Sequence, residues 1–383
     1  MVFDAQCLQT LTRQRGIGKY SLSLIQAICK EEPEKKFAAY LTNIASRSEL
    51  EIAKDLLKSL KCNNLTVLVF DLFEDSNKIS FQQSQEFLGT SLKSYMPKVV
   101  ISLSNFEKPE TCIPTPHNSA FRTIAILYDL IPLQFAKQLL VSRRQESTYR
   151  WLLSNLQKFD YLLSISNTTQ EVWRALVSNS TQIRVIGGAG YSLKLRKSHA
   201  FEVRNGVLCI GSEQEHKNLE RLILAYSMLP LSIRLTQKLT IVGIRSSGSR
   251  KYLLRTAKKL KCDLVLPEYL AEDELNYLYG SNKILVMPSL SEGLSLPILE
   301  AWANGLPAIG SSGTVAEELI QDRSFLFDPM NPNSISQMIE VLLLDQTEWE
   351  RALLHSEKLA RNYSWQLTAR LSIKAISEMG IRE

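Results

Sequence analysis

The sequence is poor in the residues that build metal and redox centres. Its six cysteines (Cys7, Cys29, Cys62, Cys112, Cys209 and Cys262) are scattered and form no C-x-x-C pair. That argues for buried, reduced thiols rather than disulfides or zinc ligands. The four histidines (His117, His199, His216 and His355) show neither H-x-x-x-H nor H-E-x-x-H spacing, so no metal site is expected. A run of about 18 apolar residues is also lacking, which excludes a transmembrane helix. The opening MVFDAQCLQT has no basic stretch leading into an apolar one, so no signal peptide is expected, and the expected location is cytoplasmic, with peripheral association at the inner face of the membrane. The first apolar run is not followed by G-x-G-x-x-G with an acid downstream, which argues against a nicotinamide-dependent enzyme. No basic run interleaved with aromatics occurs, and nucleic acid is not an expected partner.

What is present is an ordinary globular composition. The 383 residues are 45% hydrophobic and 22% charged, enough for about two domains. The net charge of +6 favours anionic partners such as nucleotide phosphates or an anionic membrane surface. Short apolar runs alternate with helical patterns: Val2–Ala5, Phe37–Leu41, Leu65–Phe70, Val99–Leu103, Ile124–Tyr128, Leu162–Ser166 and Ile183–Ile186 read as strands. Stretches such as Lys19–Lys30 and Arg143–Gln157 read as helices between them. Such alternation predicts a doubly wound parallel α/β sheet. Residues 187–205, GGAGYSLKLRKSHAFEVRN, break the pattern, which then restarts at Val207–Ile210 and runs through Leu239–Val242, Leu264–Leu266 and Ile284–Met287. Two Rossmann-like domains facing a central cleft are therefore expected. Their boundaries are 1–190, a linker at 191–206, 207–364, and a final helix at 365–383. In open α/β sheets, ligands sit at the carboxyl ends of the strands.

The most informative stretch is PSLSEGLSLPILEAWANGLP, Pro288 to Pro307. Glu292 falls on a loop after an apolar strand. Pro297 suits the start of a helix, since its missing N–H is not needed there, and Glu300 is expected in the first turn. The free N–H groups of that turn favour a phosphate or a hydroxyl-rich ligand. Taken alone, Glu300 equally fits a carboxylate that complements the helix dipole. In GSEQEHKNLERLILAY, Gly211 to Tyr226, a strand end turns into a helix near Lys217. A lysine there can hold a diphosphate as a point charge, or simply lie in solvent. The N-terminal segment places Arg15, Gly16 and Gly18 before a helix, either as a flexible turn or as a phosphate loop. Tyr128 and Asp129 end a strand, and Asp129 fits a turn cap as well as a catalytic carboxylate.

Together these segments resemble the retaining GT-B glycosyltransferases of family 4 (glycosyl transferases group 1). The family pattern EGFGLPxxEAxAxGxP is met by Glu292, Gly293, Pro297, Glu300, Ala301, Gly305 and Pro307, with Leu294-Ser295 in place of Phe-Gly. The resemblance implies that the backbone of Gly293, Leu294, Ser295 and Leu296 approaches the donor, that Glu292 faces the sugar, and that Glu300 holds the ribose. The family's R-K-N-L element is met by His216-Lys217-Asn218-Leu219, which leaves Lys217 as the main positive charge on the leaving diphosphate. RGIGKY, with Arg15, Gly16 and Gly18, is similar to a glycine-bearing element that faces the donor. Asp129 is implied on the acceptor side, while Tyr128 stands where the family often has His.

The implied fold is GT-B, with the last helix crossing back to the first domain. The implied activity is metal- and cofactor-free sugar transfer from a nucleotide sugar to a glycan or lipid-linked glycan. RGIGKY with YDLIP is most similar to bacterial polysaccharide mannosyltransferases, which makes GDP-mannose the leading donor over UDP-, dTDP- or ADP-sugars. The substitutions at Leu294-Ser295, Tyr128 and His216 keep a second expectation open, a GT-B scaffold subunit with impaired catalysis. The sequence does not set the oligomeric state.

Overall fold

The computed structural model describes residues 1–72, 81–107, 112–117, 120–178, 180–190, 200–268 and 270–379. They form two compact units, residues 1–188 with 365–383, and residues 189–364. Each is a parallel sheet wrapped by helices, as alternating apolar strands and amphipathic helices require.

In the first unit the strands are β1 (Val2–Asp4), β2 (Phe37–Thr42), β3 (Leu65–Phe70), β4 (Val99–Ser102), β5 (Arg122–Leu127), β6 (Tyr161–Ser164) and β7 (Ile183–Val185). They pair in parallel in the order β3-β2-β1-β4-β5-β6-β7. The order reverses between β1 and β4, which marks the topological switch point. Tyr40, Phe70, Leu88, Leu92 and Val100 build the core on one side of the sheet, while Leu127, Leu156, Leu162 and Trp173 belong to a second cluster. The final helix, Trp365–Glu378, belongs to this unit. Trp365 packs edge-on against Tyr20 of the helix Gly16–Glu31 with ring centroids 5.0 Å apart.

The second unit holds β8 (Val207–Ile210), β9 (Leu239–Val242), β10 (Leu264–Val265), β11 (Ile284–Met287), β12 (Ala308–Ser311) and β13 (Leu326–Phe327). Their order is β10-β9-β8-β11-β12-β13, again all parallel. Here the switch point lies between β8 and β11.

The sequence pattern finds the first eleven strands but not β12 and β13. AIGS and LF are short, and the former is rich in small residues, so neither shows a period. Residues 191–199 of the expected linker lie outside the described residues. Its remainder is not a free connection: residues 200–206 belong to the second unit, with a 3₁₀ turn at Phe201–Val203 and a buried Arg204.

Candidate active site

Both chemistry-bearing motifs of the second unit fall at its switch point. Lys217 follows β8 through the 3₁₀ turn Glu215–Lys217, and Glu292 follows β11. Asn218 then adopts a left-handed conformation (φ 57°, ψ 31°) before the helix Leu219–Ser227. Asn tolerates that region better than most residues. Its amide donates to Pro288 O at 3.0 Å and Pro329 O at 2.8 Å, and Leu290 N donates to His216 O at 2.7 Å. The two loops are thereby stitched together.

The Lys217 ammonium does not lie in solvent. Nζ donates to both oxygens of Glu292, at 2.7 and 2.8 Å, with side-chain exposures of 17% and 12%. Ser289 Oγ donates to the same carboxylate at 2.7 Å. The sequence assigns these two residues to opposite partners, the diphosphate and the sugar; the structure brings them into direct contact. His216 is buried, and burial, followed by the Lys217 charge, lowers its pKa to about 4. The imidazole is therefore neutral at pH 7 and leaves Lys217 as the local cation.

The turn between the two glutamates is strained. Ser295, which caps the helix Leu296–Ala303, sits at φ 57°, ψ 60°, a region where an L-residue costs about 1–2 kcal/mol. Glycine adopts it freely, which explains the Gly of the family pattern. Gly293 and Leu294 precede it, Leu294 being buried. The helix begins at Leu296 rather than Pro297, so Glu300 is its fifth residue and lies just past the first turn. That corrects the expected position: the free N–H groups belong to the residues before Glu300, and dipole complementation is weaker at Glu300 itself. Gly305, at φ 64°, ends the helix, and Leu306 N donates to Ala301 O at 2.8 Å, a Schellman-type close.

Glu300 accepts a hydrogen bond from Tyr279 Oη at 2.6 Å. Tyr279 is not among the residues singled out from the sequence. Nothing in the local pattern links this tyrosine to a glutamate 21 residues on. Gly190, the last residue of the first domain by the sequence boundaries, has a steric role. A Cβ there would come within 2.8 Å of Leu299 O and 2.9 Å of Glu300 N, so its lack of a side chain lets the chain pass the Glu300 backbone.

The remaining residues singled out from sequence lie in the first unit. Arg15 caps the helix Gly16–Glu31, so Gly16 and Gly18 lie within its first turn rather than in a loop ahead of it. Gly18 has a steric reason of its own: a Cβ would stand 2.3 Å from Arg13 Cα. Asp129 Oδ1 accepts from Ile131 N at 3.0 Å, which is the turn-capping arrangement. Tyr128 is buried; its hydroxyl lies 3.1 Å from Ser21 Oγ, and its ring packs edge-on against Tyr20.

Two parallel doubly wound sheets, with a last helix that rejoins the first, define the GT-B fold. Solved structures agree. Sucrose-phosphate synthase from Thermosynechococcus elongatus superposes with a TM-score of 0.67 at 13% identity, covering 99% of this chain and 98% of that one. HepE from Anabaena, solved with UDP and glucose, gives 0.69 at 14% identity over 98% and 99%. Residues 192–361 match the family model for glycosyl transferases group 1. The chain is 22% identical over 404 aligned residues to the serotype-specific mannosyltransferase WbdA of Escherichia coli, covering 99% of this chain and 48% of WbdA. It is 23% identical over 380 residues to the O-antigen chain mannosyltransferase B of Escherichia coli, covering 94% of this chain and 95% of that protein. The chain spans 38–48% of the length of the WbdA relatives it matches. The chain therefore has the GT-B fold and resembles the glycosyl transferases of group 1, bacterial polysaccharide mannosyltransferases among them.

Proposed function

We propose that the protein transfers a sugar, with retention and without a metal, from a nucleotide-sugar donor to a glycan or lipid-linked glycan during polysaccharide synthesis. GDP-mannose is the preferred donor in this reading. The observation that carries it is the Lys217–Glu292 pair at the β8/β11 switch point, beside a strained turn that opens a helix. Two mannosyltransferases among the relatives support mannose as the sugar. HepE was solved with UDP and glucose, which makes a UDP-sugar the main competing donor.

Breaking the bond to the diphosphate develops negative charge on the leaving group and positive charge on the sugar ring. Lys217 and the free N–H groups at the start of the helix Leu296–Ala303 supply the first compensation; Glu292 holds the sugar hydroxyls, and Glu300 holds the ribose. The ion pair gives this a physical form. Glu292 orients the ammonium and offsets its charge. An arriving diphosphate competes for the same Nζ protons, and the carboxylate turns to the sugar. No metal is invoked at the diphosphate, since the lysine and helix end meet that charge. Asp129, Arg15, Gly16 and Gly18 remain in this proposal as acceptor- and donor-side residues of the first unit. The anionic membrane surface remains as a partner on charge alone; no helix among the described residues is long and apolar enough to cross a membrane.

A thermal-shift panel of nucleotides and nucleotide sugars tests the reading, because a ligand that binds only the native state raises its stability. GDP-mannose should give the largest shift and should be hydrolysed slowly without acceptor. Lys217→Ala should lower turnover by about 100-fold or more, the scale of one lost charge-stabilising contact. If no nucleotide sugar at millimolar concentration moves the transition, the scaffold alternative takes its place.

A further inference from the structure

Arg204 lies in the segment that sequence reading assigns to a linker, yet it is 1% exposed. Among the described residues its guanidinium bonds backbone carbonyls only. Nη1 donates to Tyr279 O and to Asn282 O, each at 2.9 Å, and Nη2 donates to Asn304 O at 3.2 Å. Burial lowers its pKa to about 10, so it stays charged at neutral pH. A buried cation without a carboxylate is costly. What offsets the cost here is the partial negative charge at two helix ends. Tyr279 and Asn282 close the helix Glu272–Ser281, and Asn304 closes Leu296–Ala303.

These bonds continue into the site. The Tyr279 hydroxyl donates to Glu300 Oε2 at 2.6 Å, and the Asn304 amide donates to Glu300 O at 2.9 Å. Arg204, Tyr279, Glu300 and Asn304 thus form a closed ring of hydrogen bonds, with the guanidinium on one side and the carboxylate on the other. Tyr279 is itself 1% exposed, and burial together with the Glu300 charge holds its phenol well above the ordinary value. It therefore remains a donor across the working pH range.

We propose that Arg204 and Tyr279 are positioning residues: Arg204 locks the two helix ends against each other, and Tyr279 fixes the Glu300 carboxylate in one orientation toward the hydroxyls of a nucleotide ribose. This deepens the reading of Glu300 given above and rests on it. The ring removes rotamer freedom that an unfixed glutamate would lose only on binding, which is the physical content of preorganisation. It predicts a selectivity effect rather than a general loss of affinity. Phosphate contacts lie elsewhere and stay intact, so the contacts to the sugar hydroxyls alone should weaken.

The experiment titrates GDP and 2′-deoxy-GDP, with UDP and 2′-deoxy-UDP in parallel, into the full chain. Wild type should prefer the ribonucleotide by about 10-fold, the scale of one hydrogen bond to a charged group. Glu300→Ala should abolish the preference. Tyr279→Phe removes a single oxygen and should narrow the preference to about 2- to 3-fold, the part of that hydrogen bond an unfixed carboxylate keeps. It should also raise KM for the nucleotide sugar by a similar factor while leaving kcat within about twofold, the mark of lost ground-state binding. Arg204→Lys keeps the charge but cannot span both helix ends and should act in the same direction, with Tyr279→Phe deciding the matter where that variant folds poorly. Full ribose preference in Tyr279→Phe, alongside its loss in Glu300→Ala, overturns the proposal and leaves the ribose reading standing. Full preference in Glu300→Ala overturns the ribose reading, and the proposal with it.

Discussion

Ser295 combines two costs that a glycine would remove. Its backbone is left-handed, and its Oγ, in a residue only 4% exposed, has no hydrogen-bond partner among the described residues. Relief of the backbone strain is worth about 1–2 kcal/mol, of which the greater freedom of unfolded glycine takes back roughly 0.5–1. Losing a buried, unpaired hydroxyl adds to the gain. Ser295→Gly should therefore raise stability by about 1 kcal/mol, seen as a higher denaturant midpoint with an unchanged slope. His216 gives a second prediction. Unfolded, it takes up a proton near its ordinary value of 6.5; folded, only near 4. Between those values the unfolded state binds more protons, so stability is full above about pH 6.5 and falls as pH drops. By pH 5 the loss from this residue is roughly 2 kcal/mol. Urea unfolding at pH 7 and pH 5 should show that difference shrink in His216→Asn. Of the candidate site's side chains, Lys217, Glu292 and Glu300 were singled out by their match to the family pattern, since spacing alone left Lys217 and Glu300 open. Tyr279 and Arg204 were not, since they reach the site through contacts 21 and 100 residues long in sequence, which no local pattern encodes.

Among the elements, close backbone approaches decide where the motifs stand. Gly243, just past β9, has φ 108°, and a Cβ there would lie 2.3 Å from Gly211 O, just past β8. Neither contact partner is a flexible side-chain end, so the strands would have to part. Gly243→Ala should cost more than about 2 kcal/mol, combining a forbidden backbone angle with a clash. It should also weaken nucleotide binding, because Lys217 is carried by the loop that starts at Gly211. Parallel unfolding and titration curves check both, and a fully stable Gly243→Ala would contradict the geometry. The long apolar strands and amphipathic helices of this chain were readable from period alone. Helix starts were readable only to within a few residues, as at Leu296 and Gly16, because capping depends on backbone angles that the sequence does not display. The helix Phe81–Ser94 and the strand Ala308–Ser311 were missed. FQQSQEFLGTSLKS carries a weak apolar face, and AIGS too little hydrophobic bulk for any pattern.

The whole chain is discontinuous: its last helix completes the unit built from its first 188 residues. The helix buries Trp365, Ala369, Ser372 and Ile376, and Trp365 extends an aromatic row through Tyr20 to Tyr128. At its exposed side, Arg370 and Gln366 bond Glu31, contacts that contribute little at a surface. The packing, not the charge pairs, should therefore hold the helix in place. Two units with separate cores are expected to unfold in separate steps. Trp365→Ala should lower the transition of the first unit by about 3–5 kcal/mol, the usual cost of emptying a buried tryptophan site. The transition of residues 189–364 should stay where it was. Added nucleotide identifies which is which, since it should raise only the transition of the unit that holds Lys217, Glu292 and Glu300. Calorimetry of wild type and Trp365→Ala, each with and without GDP, reads all four curves. A single transition that Trp365→Ala and GDP both move would show that the two units unfold as one and would overturn this expectation.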